Sequence, residues 1–195
     1  FCDQYGIVYR TPGKLVVATS PLELQRLQAL QENAAANAIQ CRMVERDQLK
    51  EMEPSISGLK ALSVEQSGIV DYQAISTTMG ALIEQGGGTI KLVMRVTSLE
   101  ERADCVRIHT DQGILESRYA IACAGLQADR LARQSGLSVD FQIIPFRGEY
   151  YALRPQLNRL VERMIYPVPD PAMPFLGIHL TPIIDGRLTV VSEER

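Results

Sequence analysis

Residues 119–131, Tyr119-Ala120-Ile121-Ala122-Cys123-Ala124-Gly125-Leu126-Gln127-Ala128-Asp129-Arg130-Leu131, decide how this chain is read. An apolar run of strand type stops at Gly125, and an amphipathic helix follows at once. Glycine admits a close approach of backbone to a ligand there, and the helix N-terminus behind it favours anionic groups. Apolar strand, small residue, glycine and helix form the element that a nucleotide-binding α/β domain sets beside its cofactor. The same pattern also suits an ordinary buried strand with a glycine turn, so the surrounding chain must decide.

Upstream, Asp71 caps a predicted helix whose Ile75, Met79, Leu82 and Ile83 recur at core spacing. That helix ends in Gly86-Gly87-Gly88. A phosphate loop follows a strand and opens a helix; this triplet closes a helix and opens a strand, so it reads as a C-cap and turn. Strands are expected at 89–99, 105–110 and 114–118, the last two joined by Asp111-Gln112-Gly113 as an antiparallel ribbon.

Further toward the N-terminus, residues 14–19 read as a short buried strand. Ser20 is then an N-cap, Pro21 takes the first helical position and Glu23 closes a capping box. Leu24, Leu27, Leu30 and Ala34 give that helix its apolar stripe. A short helix at 47–52 stops before Pro54, and 61–64 reads as a strand followed by a turn at Ser67-Gly68. Downstream, the helix of the opening motif closes at Gly136 and 147–153 is a strand. Residues 176–184 pair with 187–191 through the hairpin turn Asp185-Gly186.

The 195 residues allow one large domain or two small lobes. A hydrophobic content of 46% with 22% charged residues is ordinary globular composition. A net charge of −3 supplies no basic face, so nucleic acid is not an expected partner. No apolar run approaches the ~20 residues of a membrane span, and no signal peptide is seen, although the chain opens on Phe1. Cys2, Cys41, Cys105 and Cys123 lie far apart without metal-ligand spacing, and Cys105 and Cys123 fall in predicted strands. The expectation is a reduced, cytoplasmic protein without disulfides. Two histidines, His109 and His179, leave little material for a metal site, and none is expected.

This succession (helix, glycine turn, strand, antiparallel ribbon, buried strand, Ala-Gly, helix) resembles the flavin lobe of FAD-dependent oxidoreductases of the D-amino-acid-oxidase and glycine-oxidase type. Within that family the chain is similar to the L-2-hydroxyglutarate oxidases and dehydrogenases. The residues that carry this are Phe1 to Gly6 (FCDQYG), Gly13 to Thr19 (GKLVVAT), Ser67 to Tyr72 (SGIVDY) and Cys123 to Leu126 (CAGL). Pro145 to Tyr150 (PFRGEY), Ile165 to Pro171 (IYPVPDP) and Phe175 to Thr181 (FLGIHLT) add to them, and the last two are the most specific.

The resemblance implies a mixed α/β (α+β) fold: a partial FAD-binding, Rossmann-like lobe with a β-ribbon, plus an antiparallel-sheet substrate lobe. The substrate lobe would comprise 1–65 and 143–195, and 66–142 would be part of the FAD-binding lobe. It also implies FAD as cofactor and a small 2-hydroxy dicarboxylate, L-2-hydroxyglutarate, oxidised to 2-oxoglutarate. Oxygen or a membrane quinone would be the electron acceptor, and the protein would be cytoplasmic or peripheral to the inner membrane. Oligomeric state stays open.

The family's opening Gly-x-Gly-x-x-Gly turn does not occur in residues 1–195. The chain therefore reads as the middle portion of an enzyme of roughly twice its length, and this polypeptide is expected not to hold FAD tightly. Two alternatives stand beside this reading. One is a flavoprotein acting on another small acid, such as glycerol 3-phosphate or an amino acid. The other is a catalytically inactive folded module that binds a partner or dimerises through a sheet edge.

Site residues follow from the resemblance. Arg147 is the candidate guanidinium for bidentate recognition of a substrate carboxylate, with Phe146, Tyr150 and Tyr151 nearby; a strand-end arginine in a surface ion pair is the alternative. His179, between Ile178 and Leu180 in a predicted strand, is the candidate base for the substrate hydroxyl; a structural histidine is the alternative. Tyr150, Tyr166 and Thr181 are candidate substrate contacts, although Tyr166 also reads as a tyrosine packed in a Pro-rich loop. Ala124 and Gly125 are carried over as cofactor contacts. Val96 is the strand residue whose backbone would meet the adenine, or else plain core. His109 receives no role.

Overall fold

Ser20 starts the longest helix by the device its sequence announces. The Glu23 amide donates to Ser20 Oγ at 3.3 Å, and Glu23 Oε2 accepts from the Ser20 amide at 3.2 Å and the Thr19 amide at 2.6 Å. Two of the amides orphaned at a helix start are thereby satisfied. The computed structural model describes residues 1–172 and 177–192, Ser192 by its backbone. Phe175 and Leu176, part of one family-like block and of the predicted strand 176–184, lie outside the described residues.

In chain order the elements begin with α1 (Cys2–Tyr5), β1 (Tyr9–Arg10), β2 (Lys14–Ala18), α2 (Pro21–Ala36) and β3 (Arg42–Glu45). Then come α3 (Arg46–Met52), β4 (Lys60–Val64), β5 (Ile69–Val70) and α4 (Tyr72–Gln85). The ribbon strands are β6 (Val96–Glu101), β7 (Val106–Thr110) and β8 (Gly113–Ser117), followed by α5 (Ala128–Gln134). The last strands are β9 (Glu149–Ala152), β10 (Met164–Pro167), β11 (His179–Pro182) and β12 (Leu188–Ser192). By its internal contacts the chain divides into two compact units, Phe1–Met79 with Gly148–Arg195, and Gly80–Arg147; the boundary falls inside α4.

The first unit is built on a seven-stranded sheet in the order β3-β4-β2-β10-β11-β12-β9. Five of its neighbour pairs are antiparallel as expected, but β2 and β10 run parallel, Leu15 opposite Ile165 and Val17 opposite Pro167. The sheet is therefore mixed. A parallel pair needs a long crossover, and nothing local in either strand announces a partner about 150 residues away in sequence.

Alternation along β2 divides the core. Leu15 and Val17 pack with Val44, Leu49, Ala61, Ile165 and Leu188 on one side. Val16 and Ala18 pack with Leu62 and with Leu24, Leu27 and Leu30 of α2 on the other. Leu27 is fully buried, worth about 1.5–3 kcal/mol relative to exposure. Behind the first layer Glu53, 1% exposed, ties the end of α3 to the approach to β10. Its Oε1 accepts from the Arg163 amide at 2.8 Å and the Glu162 amide at 3.1 Å.

In the second unit β6, β7 and β8 form the expected ribbon, with Asp111-Gln112 as its turn. The predicted strand 89–99 forms only from Val96 onward; Val93 upstream has a left-handed φ of 56°. The triple glycine is a helix C-cap: the Gly88 amide donates to Ile83 O at 2.8 Å around Gly87 at φ 83°.

Two expectations fail here. No residue of α4 is buried, and Met79 and Ile83 of its apolar stripe are 48% and 51% exposed. Residues 119–124 form no strand, and Tyr119, Ile121 and Cys123 stand exposed. A buried strand needs a ladder for its amides and carbonyls. The ribbon strands pair only with one another, so among the described residues this run has no ladder partner. Cys105 likewise precedes β7 rather than lying in it.

Candidate functional site

Strand register on the first unit's sheet assembles an aromatic–imidazole row. Tyr150 lies opposite Val191, and Val191 opposite His179. Ile165 pairs with Leu180 across β10 and β11, which brings the preceding His179 opposite Tyr166. The Tyr166 ring stacks on the imidazole with centroids 4.5 Å apart and planes at 12°. Tyr150 meets the same imidazole edge-on at 6.4 Å and 83°. His179 is 7% exposed.

The imidazole's tautomer follows from its partner. Nδ1 lies 3.1 Å from Gly177 O, and a carbonyl can only accept, so Nδ1–H donates. In the neutral ring, Nε2 is then the atom with a free lone pair. Two residues along β11, on the same face, Thr181 has a buried Oγ1 with no hydrogen-bond partner among the described residues. Its carbonyl accepts from Thr189 Oγ1 at 2.9 Å. On its β2 side, Tyr166 carries Lys14 Nζ over the ring, 5.4 Å from the centroid.

Four of the residues expected from sequence, His179, Tyr166, Tyr150 and Thr181, thus share one sheet face. Tyr166 belongs to a central strand, which replaces the Pro-rich-loop reading. Arg147 is exposed and ends the second unit; it is not part of this sheet. Lys14 escaped the sequence reading because a lysine opening a strand reads as a solvated edge. Its pairing with Met164 exists only through the parallel ladder.

The expected cofactor residues lie in the second unit, where Val96 and Ala124 line a groove of about 940 Å³. Val96, Ile121, Cys123 and Ala124 give it an apolar wall, and Arg95 and Arg130 line it too. Val96, 39% exposed, is not core. Gly125 adjoins the groove without lining it; it turns the chain at φ 52° into a 3-10 turn, Gly125–Gln127, ahead of α5.

Asp129, unnoticed in the sequence, is 2% exposed. Its Oδ2 accepts from Arg133 Nη1 at 2.9 Å and the Ile143 amide at 3.4 Å, and Arg133 Nη2 donates to Phe141 O at 2.6 Å. Burial pushes the Asp129 carboxyl up, but the bonds from Arg133, Ile143 and Arg130 outweigh it and hold it below the ordinary carboxylate value. The His109 imidazole lies 3.4 Å from Glu100 within the ribbon. Among the described residues no cluster of His, Cys, Asp or Glu could hold a metal ion, and no helix is long and apolar enough to cross a membrane.

Comparison with known proteins completes the picture. L-2-hydroxyglutarate dehydrogenase of Escherichia coli (strain K12) is 48% identical over 191 residues, covering 97% of this chain and 45% of that protein. The mitochondrial L-2-hydroxyglutarate dehydrogenase of Homo sapiens is 35% identical over 201 residues, covering 96% and 43%. The chain therefore spans less than half the length of these relatives. Among solved structures, L-alpha-glycerophosphate oxidase of Mycoplasma pneumoniae with FAD bound superposes at a TM-score of 0.83 with 22% identity, over 95% of this chain and 50% of that one. Glycine oxidase of Geobacillus kaustophilus gives 0.80 with 18% identity, over 97% and 50%. These likenesses show a shared mixed α/β fold. The profile of the family described as FAD dependent oxidoreductase (DAO) matches residues 1–194, and the chain belongs to that family.

Proposed function

We propose that the protein oxidises L-2-hydroxyglutarate to 2-oxoglutarate with FAD as its cofactor. The observation that carries this is the 48% identity, over 97% of the chain, to a relative named L-2-hydroxyglutarate dehydrogenase. The first unit is then the substrate lobe and the second one wall of the flavin lobe.

The residues present suit one part of a flavin dinucleotide. The groove along 119–124 pairs an exposed apolar strip, suited to a flat ring system, with two guanidinium groups suited to an anion. Val96 and Ala124 would line the cofactor and Gly125 would let backbone approach it, while a Gly-x-Gly-x-x-Gly pyrophosphate turn is not in the sequence. Bound there, FAD supplies the acceptor for the hydride on the carbon bearing the substrate hydroxyl.

The chain's own residues do the rest. His179 accepts the hydroxyl proton at Nε2, with Nδ1 held on Gly177 O and the ring plane fixed by Tyr166. The unpartnered Thr181 hydroxyl and the phenols of Tyr150 and Tyr166 donate to substrate oxygens. Arg147 is the proposed bidentate partner of a carboxylate.

The test is substrate preference of the flavin-loaded, full-length protein. Turnover of L-2-hydroxyglutarate well above that of glycerol 3-phosphate, glycine and L-lactate supports the proposal. Equal or better turnover of one of those competitors refutes it. Oxygen consumption during the same assay separates oxygen from a membrane quinone as electron acceptor.

A further inference from the structure

The geometry points to Lys14 as the receptor for the far carboxylate of a 2-hydroxy diacid, and so as a specificity-determining residue of the His179 face. The inference rests on the proposed function and concerns a residue that neither the site motifs nor the aromatic row identifies.

Three observations support it. Strand β10 lies between β2 and β11, so Lys14 and His179 approach Tyr166 from opposite sides. The ammonium is 5.4 Å and the imidazole 4.5 Å from the same ring centroid, so the two are no more than about 10 Å apart. Among the described residues that ammonium has no hydrogen bond or ion pair; its one recorded contact is with the ring. A half-buried cation held over an aromatic face, with no anionic partner of its own, is ready to take one from a ligand.

The far carboxylate of a diacid supplies the anion that this ammonium lacks. Thr181 stands opposite Met164, and Met164 opposite Lys14, so the orphaned Thr181 hydroxyl and the ammonium share one row of the face. A polar ligand lying along that row would satisfy both. A cation at the far end also gives a reason to prefer a dicarboxylate over a 2-hydroxy acid with a methyl terminus, because only the former would neutralise it.

The experiment compares L-2-hydroxyglutarate with L-2-hydroxyvalerate, which has the same carbon chain without the far carboxylate, in the flavin-loaded, full-length protein. Lys14→Met is expected to raise KM for L-2-hydroxyglutarate about 10- to 100-fold with kcat within about three-fold, and to leave kcat/KM for L-2-hydroxyvalerate unchanged. Lys14→Arg should keep most of the affinity. Equal losses for both acids, or no loss for either, overturn the inference. A second readout needs no turnover: calorimetric binding of glutarate, an unreactive diacid, should vanish in Lys14→Met and persist in Lys14→Arg. If the wild-type protein does not oxidise L-2-hydroxyglutarate, the functional proposal falls. The glutarate titration then still decides on Lys14: retained binding in Lys14→Met overturns its role, and lost binding upholds it.

Discussion

Tyr166 lies flat against His179, ring centroids 4.5 Å apart, while His179 Nδ1 is held 3.1 Å from Gly177 O. Stacking fixes the imidazole plane and the carbonyl fixes its tautomer. Together they present Nε2 as the acceptor nitrogen of a neutral ring.

His179→Gln should therefore lower kcat for the 2-hydroxy acid by about 10²- to 10⁴-fold, with KM changed by much less. Steady-state kinetics on the flavin-loaded protein checks this. A kcat within a few-fold of wild type would assign the proton to another group.

Removing the stack separates orientation from chemistry. Tyr166→Phe keeps the ring and should leave folding stability near wild type. Tyr166→Leu should cost about 0.5–1.5 kcal/mol beyond lost area and slow turnover by releasing the imidazole. Denaturant midpoints and kcat measured on both variants test the point. Identical behaviour of the two would show that the aromatic face contributes nothing.

Glu53 carries a different prediction, about stability alone. Its buried carboxylate accepts the amides of Glu162 and Arg163 and lies 3.8 Å from the Arg163 guanidinium. Glu53→Ala strands those amides and should cost about 1–3 kcal/mol. Glu53→Gln, which keeps an acceptor oxygen, should cost less. Urea denaturation of the two variants gives the order, and the reverse order would contradict the assignment.

The start of α2 should weaken in acid. Burial pushes the Glu23 carboxyl up, but the bonds from Thr19 and Ser20 and the nearby Arg26 outweigh it and hold it below its ordinary value of 4.5. A carboxyl lowered in the fold adds stability above about 4.5, and that stability is lost as pH falls through its folded value. Glu23→Gln should flatten this part of the stability–pH curve, and Ser20→Ala should cost about 1 kcal/mol at neutral pH. An unchanged acid limb in Glu23→Gln would remove the capping box from the account.

What the sequence disclosed about the fold was what is local in space. Ser20, Pro21 and Glu23 declare a helix start within one turn, and Asp185-Gly186 declares a hairpin within a few residues, with Gly186 at φ 88°. The parallel pairing of β2 with β10 was hidden because neither strand contains its partner's address. With it were hidden the strand placement of Tyr166 and the meeting of Tyr166 with Lys14. Residues 119–124 show the opposite error: Tyr119, Ile121 and Cys123 have strand composition, but composition supplies no ladder. Glu53 and Asp129 were invisible because a carboxylate's burial depends on amides at 143, 162 and 163, remote in sequence.

The most direct test of the central claim is anaerobic mixing of the flavin-loaded, full-length protein with L-2-hydroxyglutarate, followed by the oxidised-flavin absorbance. Rapid bleaching with stoichiometric 2-oxoglutarate is expected, with bleaching slowed by orders of magnitude in His179→Gln. A flavin that stays oxidised with L-2-hydroxyglutarate, yet bleaches with glycerol 3-phosphate or an amino acid, would contradict it.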